Sequence, residues 1–555
     1  MRHAGWGWAV VLAAVGLAAS ARGADDRFRQ SADAVEAYDF VEVTLALDAA
    51  PAGNPFTEAE FDGWFEPEGG PRLAVDGFCD GDDGRAFRIR FLPAKPGAYR
   101  YGVTYRRGAT TLAHEGTFTA RDGGRKGMVR IDKDHPYHFA WEGTGEGYFW
   151  NGTTTYFLLG WRDVATIRSI VDRLADQKVN RLRVALNGRN SGGDRWSEPL
   201  VQSGEEFRFR LEPWPAARSE DPADPGYDVT RFNLPHWRKM EELLRHALER
   251  DVVVSVIFHV DGRDAGVDPF GKERAGGEDE RRYYRYAVAR LAAYSNVMWD
   301  VTNEYHLFRD VPWVNAMGAY LKDRDPYDHL TSVHGNGDFP FRTEPWCDFA
   351  MFQAWDEGGG HEFMRKNRRE QAATGRPMPQ VNEEYGYEDH YPTWGSNRRP
   401  PARSADNRRR LAWGMVMAGG YQSTGERADR GTSRGADAGG GWINGRGDAQ
   451  MVMLRGYARM VDFFTAFDWR AADPHDELVT GDGAMALAEP GKAMAVYLPR
   501  GGRATATLEP GRYRVRRYNP RTGEWLDLPD AEAASWTSPA MPTGDDWALL
   551  LTRRP

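Results

Sequence analysis

The sequence predicts an α/β fold, a (β/α)8 TIM barrel flanked by two small β-sandwich domains. Three observations predict it. From about residue 130 to 468, amphipathic helical runs alternate with short apolar strands in repeated helix-then-strand units. Before them, residues 25–127 hold short alternating stretches parted by Gly, Pro and Asp clusters, with no long helical period. After them, from 472 to 555, short β runs return.

Residues 1–21 read as a signal peptide. Met1-Arg2-His3 is a basic start, Gly5 to Ala19 is an apolar run, and Ala19-Ser20-Ala21 has the small-x-small pattern of a cleavage site. The run is short for a membrane helix, which takes about 20 apolar residues. Nothing later in the chain is apolar enough to span a bilayer, so the expectation is an exported protein, periplasmic or extracellular, with no membrane span in the mature chain.

Within 25–127, Val41–Leu47, Phe87–Phe91 and Tyr99–Tyr105 alternate as half-buried strands do. In the barrel, the helical runs 163–177, 236–250 and 280–294 precede the strands Val179–Leu186, Val252–Phe258 and Val297–Val301. The runs 312–322, 361–373 and 405–418 precede Leu330–Val333, Gln380–Val381 and Gly420–Ser423. A doubly wound open sheet is the competing arrangement, but no Gly-rich phosphate loop follows the first strand. Past 472, Ala484–Leu487, Ala493–Leu498, Tyr513–Tyr518 and Trp547–Leu551 read as strands of the second sandwich.

Composition narrows the function. A net charge of −9 over 555 residues argues against a nucleic-acid partner, which needs a basic surface. Two cysteines, Cys79 and Cys347, exclude a disulfide scaffold and a Cys-rich metal site, and both are expected to be free thiols. No cofactor and no metal is called for. The 20 tryptophans and 23 tyrosines suit stacking on sugar faces, so an oligo- or polysaccharide is the expected partner. Oligomeric state is left open.

In this fold, catalytic groups project from the carboxyl ends of the strands. Asn303-Glu304-Tyr305 follows strand 4, and Asn382-Glu383-Glu384-Tyr385-Gly386-Tyr387-Glu388 follows strand 7. Two carboxylates facing one crevice are what glycosidic cleavage requires: an acid to protonate the leaving oxygen, and a carboxylate to attack or to activate water. Asn303 is placed to bond a sugar hydroxyl near the reacting carbon. Adjacent strand residues point to opposite faces, so one of Glu383 and Glu384 is expected to face the crevice. Simple alternation favours Glu383 if Val381 points inward; the Tyr-Gly that follows favours Glu384.

These residues carry a resemblance. Asn303-Glu304 with Glu384-Tyr385-Gly386 resembles the strand-4 and strand-7 signatures of clan A glycoside hydrolases. Tyr148 to Thr154 and Glu384 to Glu388 resemble more specifically the apiosidase-like family. Asn54-Pro55-Phe56, Val75 to Gly81 and Phe91-Leu92-Pro93 are similar to the Ig-like sandwich often placed before such barrels, and Val496 to Pro499 with Tyr518 to Gly523 to the β-domain often placed after them. The resemblance implies a retaining O-glycosyl hydrolase with Glu304 as general acid/base and Glu384 as nucleophile.

Other strand ends offer supporting groups. Arg183 matches the strand-2 arginine that supports the nucleophile in that clan; a structural ion pair is an equal reading. His259 and Asp261 after strand 3 and His334 after strand 5 lack the dense spacing of a metal site and read as sugar-hydroxyl ligands, with a buried histidine as the plainer alternative. Gln353, Trp355 and Asp356 follow strand 6, where the clan often has a tyrosine or histidine on the nucleophile. Tyr387 and Glu388 are further candidate ligands, and Trp355 and Trp442 candidate stacking platforms. A carbohydrate-binding or adhesion protein on a barrel without catalysis is the competing function.

Overall fold

A computed structural model describes residues 26–189, 210–219, 221, 224–260, 266–355, 359–388, 403–424, 452–532 and 534–555. The expected signal peptide, 1–21, lies outside the described residues.

The centre is a ring of eight parallel staves: β1 Asn151–Thr154, β2 Arg181–Ala185, β3 Val253–Ile257, β4 Val297–Asp300, β5, β6 Ala350–Gln353, β7 Gln380–Glu384 and β8 Tyr421–Thr424. Stave β5 comes in two pieces, Thr331–Ser332 pairing with β4 and His334–Asn336 pairing with β6, while β1 pairs with both β2 and β8. Residue Val333 alone separates the two pieces, so the ring closes through β5. Covered on both faces, β3 is apolar without alternation, Val253-Val254-Ser255-Val256-Ile257, all buried.

Helices Val164–Asp176, Leu234–Glu249, Glu278–Leu291, Val311–Arg324, His361–Ala373, Ala405–Met417 and Val452–Phe464 wrap the ring. The first shows why they form: Asp163 accepts the N–H groups of Ala165 and Thr166, and Ile167, Ile170, Val171 and Leu174 make one buried stripe. Between β5 and β6 the chain crosses without a helix, filling that place with Phe339, Phe341 and Trp346, all buried.

A three-stranded antiparallel sheet, Val129–Ile131, Phe139–Trp141 and Gly147–Tyr148, was not legible in the sequence. Phe139 packs against Trp150, Phe349 and Tyr421, at or just before the starts of β1, β6 and β8, and so plugs the amino-terminal end of the barrel.

The amino-terminal sandwich packs a four-stranded sheet, ordered Phe28–Gln30, Val41–Ala46, Ala86–Phe91, Phe78–Cys79, on a five-stranded one, ordered Ala34–Glu36, Thr110–Arg121, Gly97–Arg107, Glu60–Pro67, Leu73–Asp76. Phe91 and Phe65 stack between them at 4.4 Å. Arg90, from this domain, pairs with Glu241 of a barrel helix at 2.6 Å and donates to the Arg290 carbonyl. The carboxyl-terminal domain is a six-stranded sheet with a smaller three-stranded one. It joins the barrel through Arg409 and Asp546, 2.7 Å apart, and through Trp413 stacked on Tyr497. Cys79 and Cys347 are both free and buried. Among the described residues, no helix is long and apolar enough to cross a membrane.

Candidate active site

The carboxyl ends of β1, β2, β4, β5, β6 and β7 bring one polar cluster together. Stave β7 ends with a register shift: Phe352 of β6 is opposite Asn382, but Gln353 is opposite Glu384, so Glu383 is an extra residue. Alternation therefore fails here, and both glutamates turn inward at different depths. Glu383 pairs with Arg181, from the first position of β2, at 2.6 Å. Glu384 lies among groups of the upper layer: the Tyr156 hydroxyl at 3.2 Å, the His334 Nε2 at 3.9 Å and the Tyr387 hydroxyl. Tyr-Gly follows Glu384 for a local reason. Gly386 has φ 101°, and a Cβ there would meet the guanidinium groups of Arg403 and Arg408 at 2.6 Å. Tyr385 is buried, donating to Gln422 of β8 at 2.9 Å.

Glu304 leaves β4 in the left-handed region, φ 41° and ψ 56°, before the short helix Tyr305–Phe308. A non-glycine residue there is strained, and the surroundings hold it. Its N–H meets His334 Nδ1 at 3.3 Å, and its carboxyl takes hydrogen bonds from Asn303 Nδ2 at 3.3 Å and from Gln353.

Arg183 has partners of two kinds. Its guanidinium is fully buried and donates to Asp300 at 2.7 Å, a structural ion pair. It also donates to the Tyr156 hydroxyl at 3.0 Å and to Asn303 Oδ1 at 3.1 Å, so it holds two groups that touch the carboxyls.

Burial, then the negative charge of Glu304, push the Glu384 carboxyl up to about 8; Tyr387, Arg183 and Tyr156 act the other way. Glu304 is also raised, by burial. Burial and nearby arginines hold His334 well below the usual histidine range, so it is neutral.

The remaining sequence-predicted residues divide. Trp355 stands edge-on to Tyr387 at 5.7 Å, with the Arg403 guanidinium 5.1 Å from its ring. Two residues read as ligands have other partners. His259, 1 % exposed and lowered to about 3 by burial, takes the Asn187 amide on Nδ1 at 3.0 Å, while its carbonyl accepts the Asn303 N–H. Glu388 accepts the Met453 N–H at 3.2 Å, in the first turn of Val452–Phe464, where a carboxylate complements the helix end. Asp261, Asp356 and Trp442 lie outside the described residues. Among the described residues, no group of three or more His, Cys, Asp or Glu side chains is set to hold a metal.

The sequence reading missed Tyr156. It follows β1 directly, as Thr154-Thr155-Tyr156, so the strand-end rule that marked Glu304 marks it as well.

Comparison with known proteins then bears on this geometry. The model of the apiosidase-like catalytic domain matches residues 139–424, over half of the 555. The chain belongs to the apiosidase-like family. Residues 34–106 match a domain of unknown function, DUF5060. A solved structure of a candidate glycoside hydrolase from Bacteroides vulgatus aligns with TM-score 0.76 at 20% identity, over 94% of this chain and 100% of its own. A family 5 glycoside hydrolase from the same organism aligns with TM-score 0.58 at 15% identity, over 77% of this chain and 94% of its own. At these identities the likeness shows the fold, including the sheets before and after the barrel. No curated protein gives a significant match. Family and fold together support a glycosidase.

Proposed function

We propose that this apiosidase-like protein is an exported retaining glycoside hydrolase that cleaves glycosidic bonds of plant or microbial polysaccharide by double displacement. The observation that carries the reading is the pair Glu304 and Glu384, from staves β4 and β7, buried in one cluster and acting on each other electrically. Glu304 is the general acid/base and Glu384 the nucleophile. Export rests on the pattern of residues 1–21.

A carboxylate pair that interacts in this way keeps one proton near neutral pH. Deeper burial favours that proton on Glu384. The donors favour it on Glu304: two phenols face Glu384, against two amides on Glu304, while the Arg183 guanidinium acts on both. Hydrogen bonds to a charged group contribute about 1.5–3 kcal/mol each, and the double-displacement reading takes the charge to be on Glu384. In the first step, a Glu384 oxygen bonds to the anomeric carbon while the bond to the leaving oxygen breaks and takes the proton of Glu304. In the second, Glu304 accepts a proton from water, the water oxygen bonds to the anomeric carbon, and Glu384 leaves as carboxylate.

The test is a screen of 4-nitrophenyl glycosides and plant polysaccharides, wild type beside Glu304→Gln. The expected result is sugar release by wild type that the variant loses on substrates with poor leaving groups. Binding of polysaccharide with no release by either protein would instead make this a carbohydrate-binding barrel.

A further inference from the structure

The two carboxyls are joined by a chain of protein groups. Tyr156 lies 3.2 Å from Glu384 Oε2 and 3.3 Å from Asn303 Oδ1, and Asn303 Nδ2 lies 3.3 Å from Glu304 Oε2. Arg183, anchored on Asp300, donates to both the Tyr156 oxygen and Asn303 Oδ1 and so fixes the two middle members. A phenol has a single proton to give. With the Tyr156 oxygen already accepting from Arg183, that proton has Glu384 and Asn303 as acceptors at nearly equal distance.

We propose that Tyr156 and Asn303 form a hydrogen-bond relay between the carboxyls, the Tyr156 hydroxyl donating to Glu384 while that group carries the charge and to Asn303 while Glu304 carries it. The relay rests on the double-displacement reading. In the free enzyme Glu384 is the anion and attracts the Tyr156 proton. Once Glu384 is esterified to the sugar it is neutral, and Glu304, having protonated the leaving oxygen, is the anion. The hydroxyl then turns to Asn303 Oδ1. Accepting there polarises the amide, so its Nδ2 donates more strongly to Glu304. No proton leaves Tyr156. When water is split, its proton goes to Glu304, the bond from the anomeric carbon to Glu384 breaks, and the hydroxyl turns back to receive the departing carboxylate. Tyr156 is thus a positioning residue that follows the charge.

The experiment removes one oxygen. Tyr156→Phe is compared with wild type by carbon NMR titration of protein labelled with 13C at the glutamate carboxyls, the signals assigned with Glu304→Gln and Glu384→Gln. The groups facing Glu384 are Glu304, Arg183, His334, Tyr387 and Tyr156 itself, of which only Tyr156 is changed. Loss of a donor to the anion raises the proton affinity of Glu384 by about tenfold. On the 4-nitrophenyl glycoside that wild type turns over, the glycosyl-enzyme accumulates as a burst, with kcat and KM both falling about tenfold, because an unassisted carboxylate leaves more slowly. An unchanged titration overturns the relay, as does a shifted titration with kcat and KM unmoved. The titration needs no substrate, so a wild type inert on every glycoside refutes the glycosidase reading while leaving this result to stand on its own.

Discussion

Arg181 and Glu383 form an ion pair 2.6 Å long with both side chains fully buried inside the barrel, beneath the cluster that holds Glu384. Arg181 also donates to Ser255 at 2.8 Å, and its guanidinium lies 4.5 Å from the Trp150 ring. Two adjacent glutamates therefore have different work. Removing one partner of a buried pair costs about 3–5 kcal/mol, so Glu383→Ala is expected to lower the denaturation midpoint sharply. Glu384→Ala is expected to fold near-normally and to lose turnover. Urea melts of both variants beside activity assays check this, and an inactive, fully stable Glu383→Ala would reverse the assignment.

Azide tests the nucleophile directly. In Glu384→Ala the space left by the carboxylate admits a small anion, which attacks the anomeric carbon from the same side. The expected product is a glycosyl azide of inverted anomeric configuration. In Glu304→Ala the same anion should give the retained configuration. Proton NMR of the product distinguishes them.

The activity of wild type is expected to be bell-shaped in pH. Turnover needs the pair singly protonated; binding a second proton ends it on the acid side, and loss of the last one ends it near pH 8, the value to which Glu384 is raised. A kcat/KM profile checks this, and activity flat through pH 9 would count against a shared proton.

Stability should follow the shared proton with a definite sign. The pair keeps its last proton up to about 8, against 4.5 for a free glutamate, so between those values the unfolded chain has released a proton that the folded pair retains. Stability is then lost as pH rises through that window. Glu384→Gln cannot ionise, so its Tm is expected to exceed that of wild type at pH 8 and to approach it below pH 4.5. Equal pH dependence of the two melts would contradict the shift.

A buried carboxylate helps tie the carboxyl-terminal domain to the barrel. Asp546, fully buried, receives Arg409 at 2.7 Å and the Tyr497 hydroxyl at 3.1 Å. Asp546→Ala leaves Arg409 only the exposed Asp406 as an ion-pair partner and is expected to cost about 3–5 kcal/mol, read as a single cooperative loss by calorimetry. Deletion of residues 472–555, which also uncovers Trp413 and Phe463, is expected to give insoluble protein.

Much was legible in the chain. The helices Val164–Asp176, His361–Ala373 and Ala405–Met417 fall on the runs read from periodicity, because an apolar stripe on a helix must face the ring and is written into the order of residues. The candidates Glu304 and Glu384 were legible for a similar reason, since a barrel exposes the residues after its strands. The plug formed by Phe139 was hidden, because strands of two and three residues carry no period. Glu388 and His259 were read as ligands since sequence places them after strands but does not say which buried donor reaches them first.

By itself, then, the order of residues determined the architecture and marked two candidate acids, through local period and through the position of each acid after its strand. Only the tertiary structure decided which of Glu383 and Glu384 pairs with Arg181 and which meets Tyr156. The reason is physical: the extra residue in β7 is a property of its pairing with β6, and a register exists only between strands, never within one.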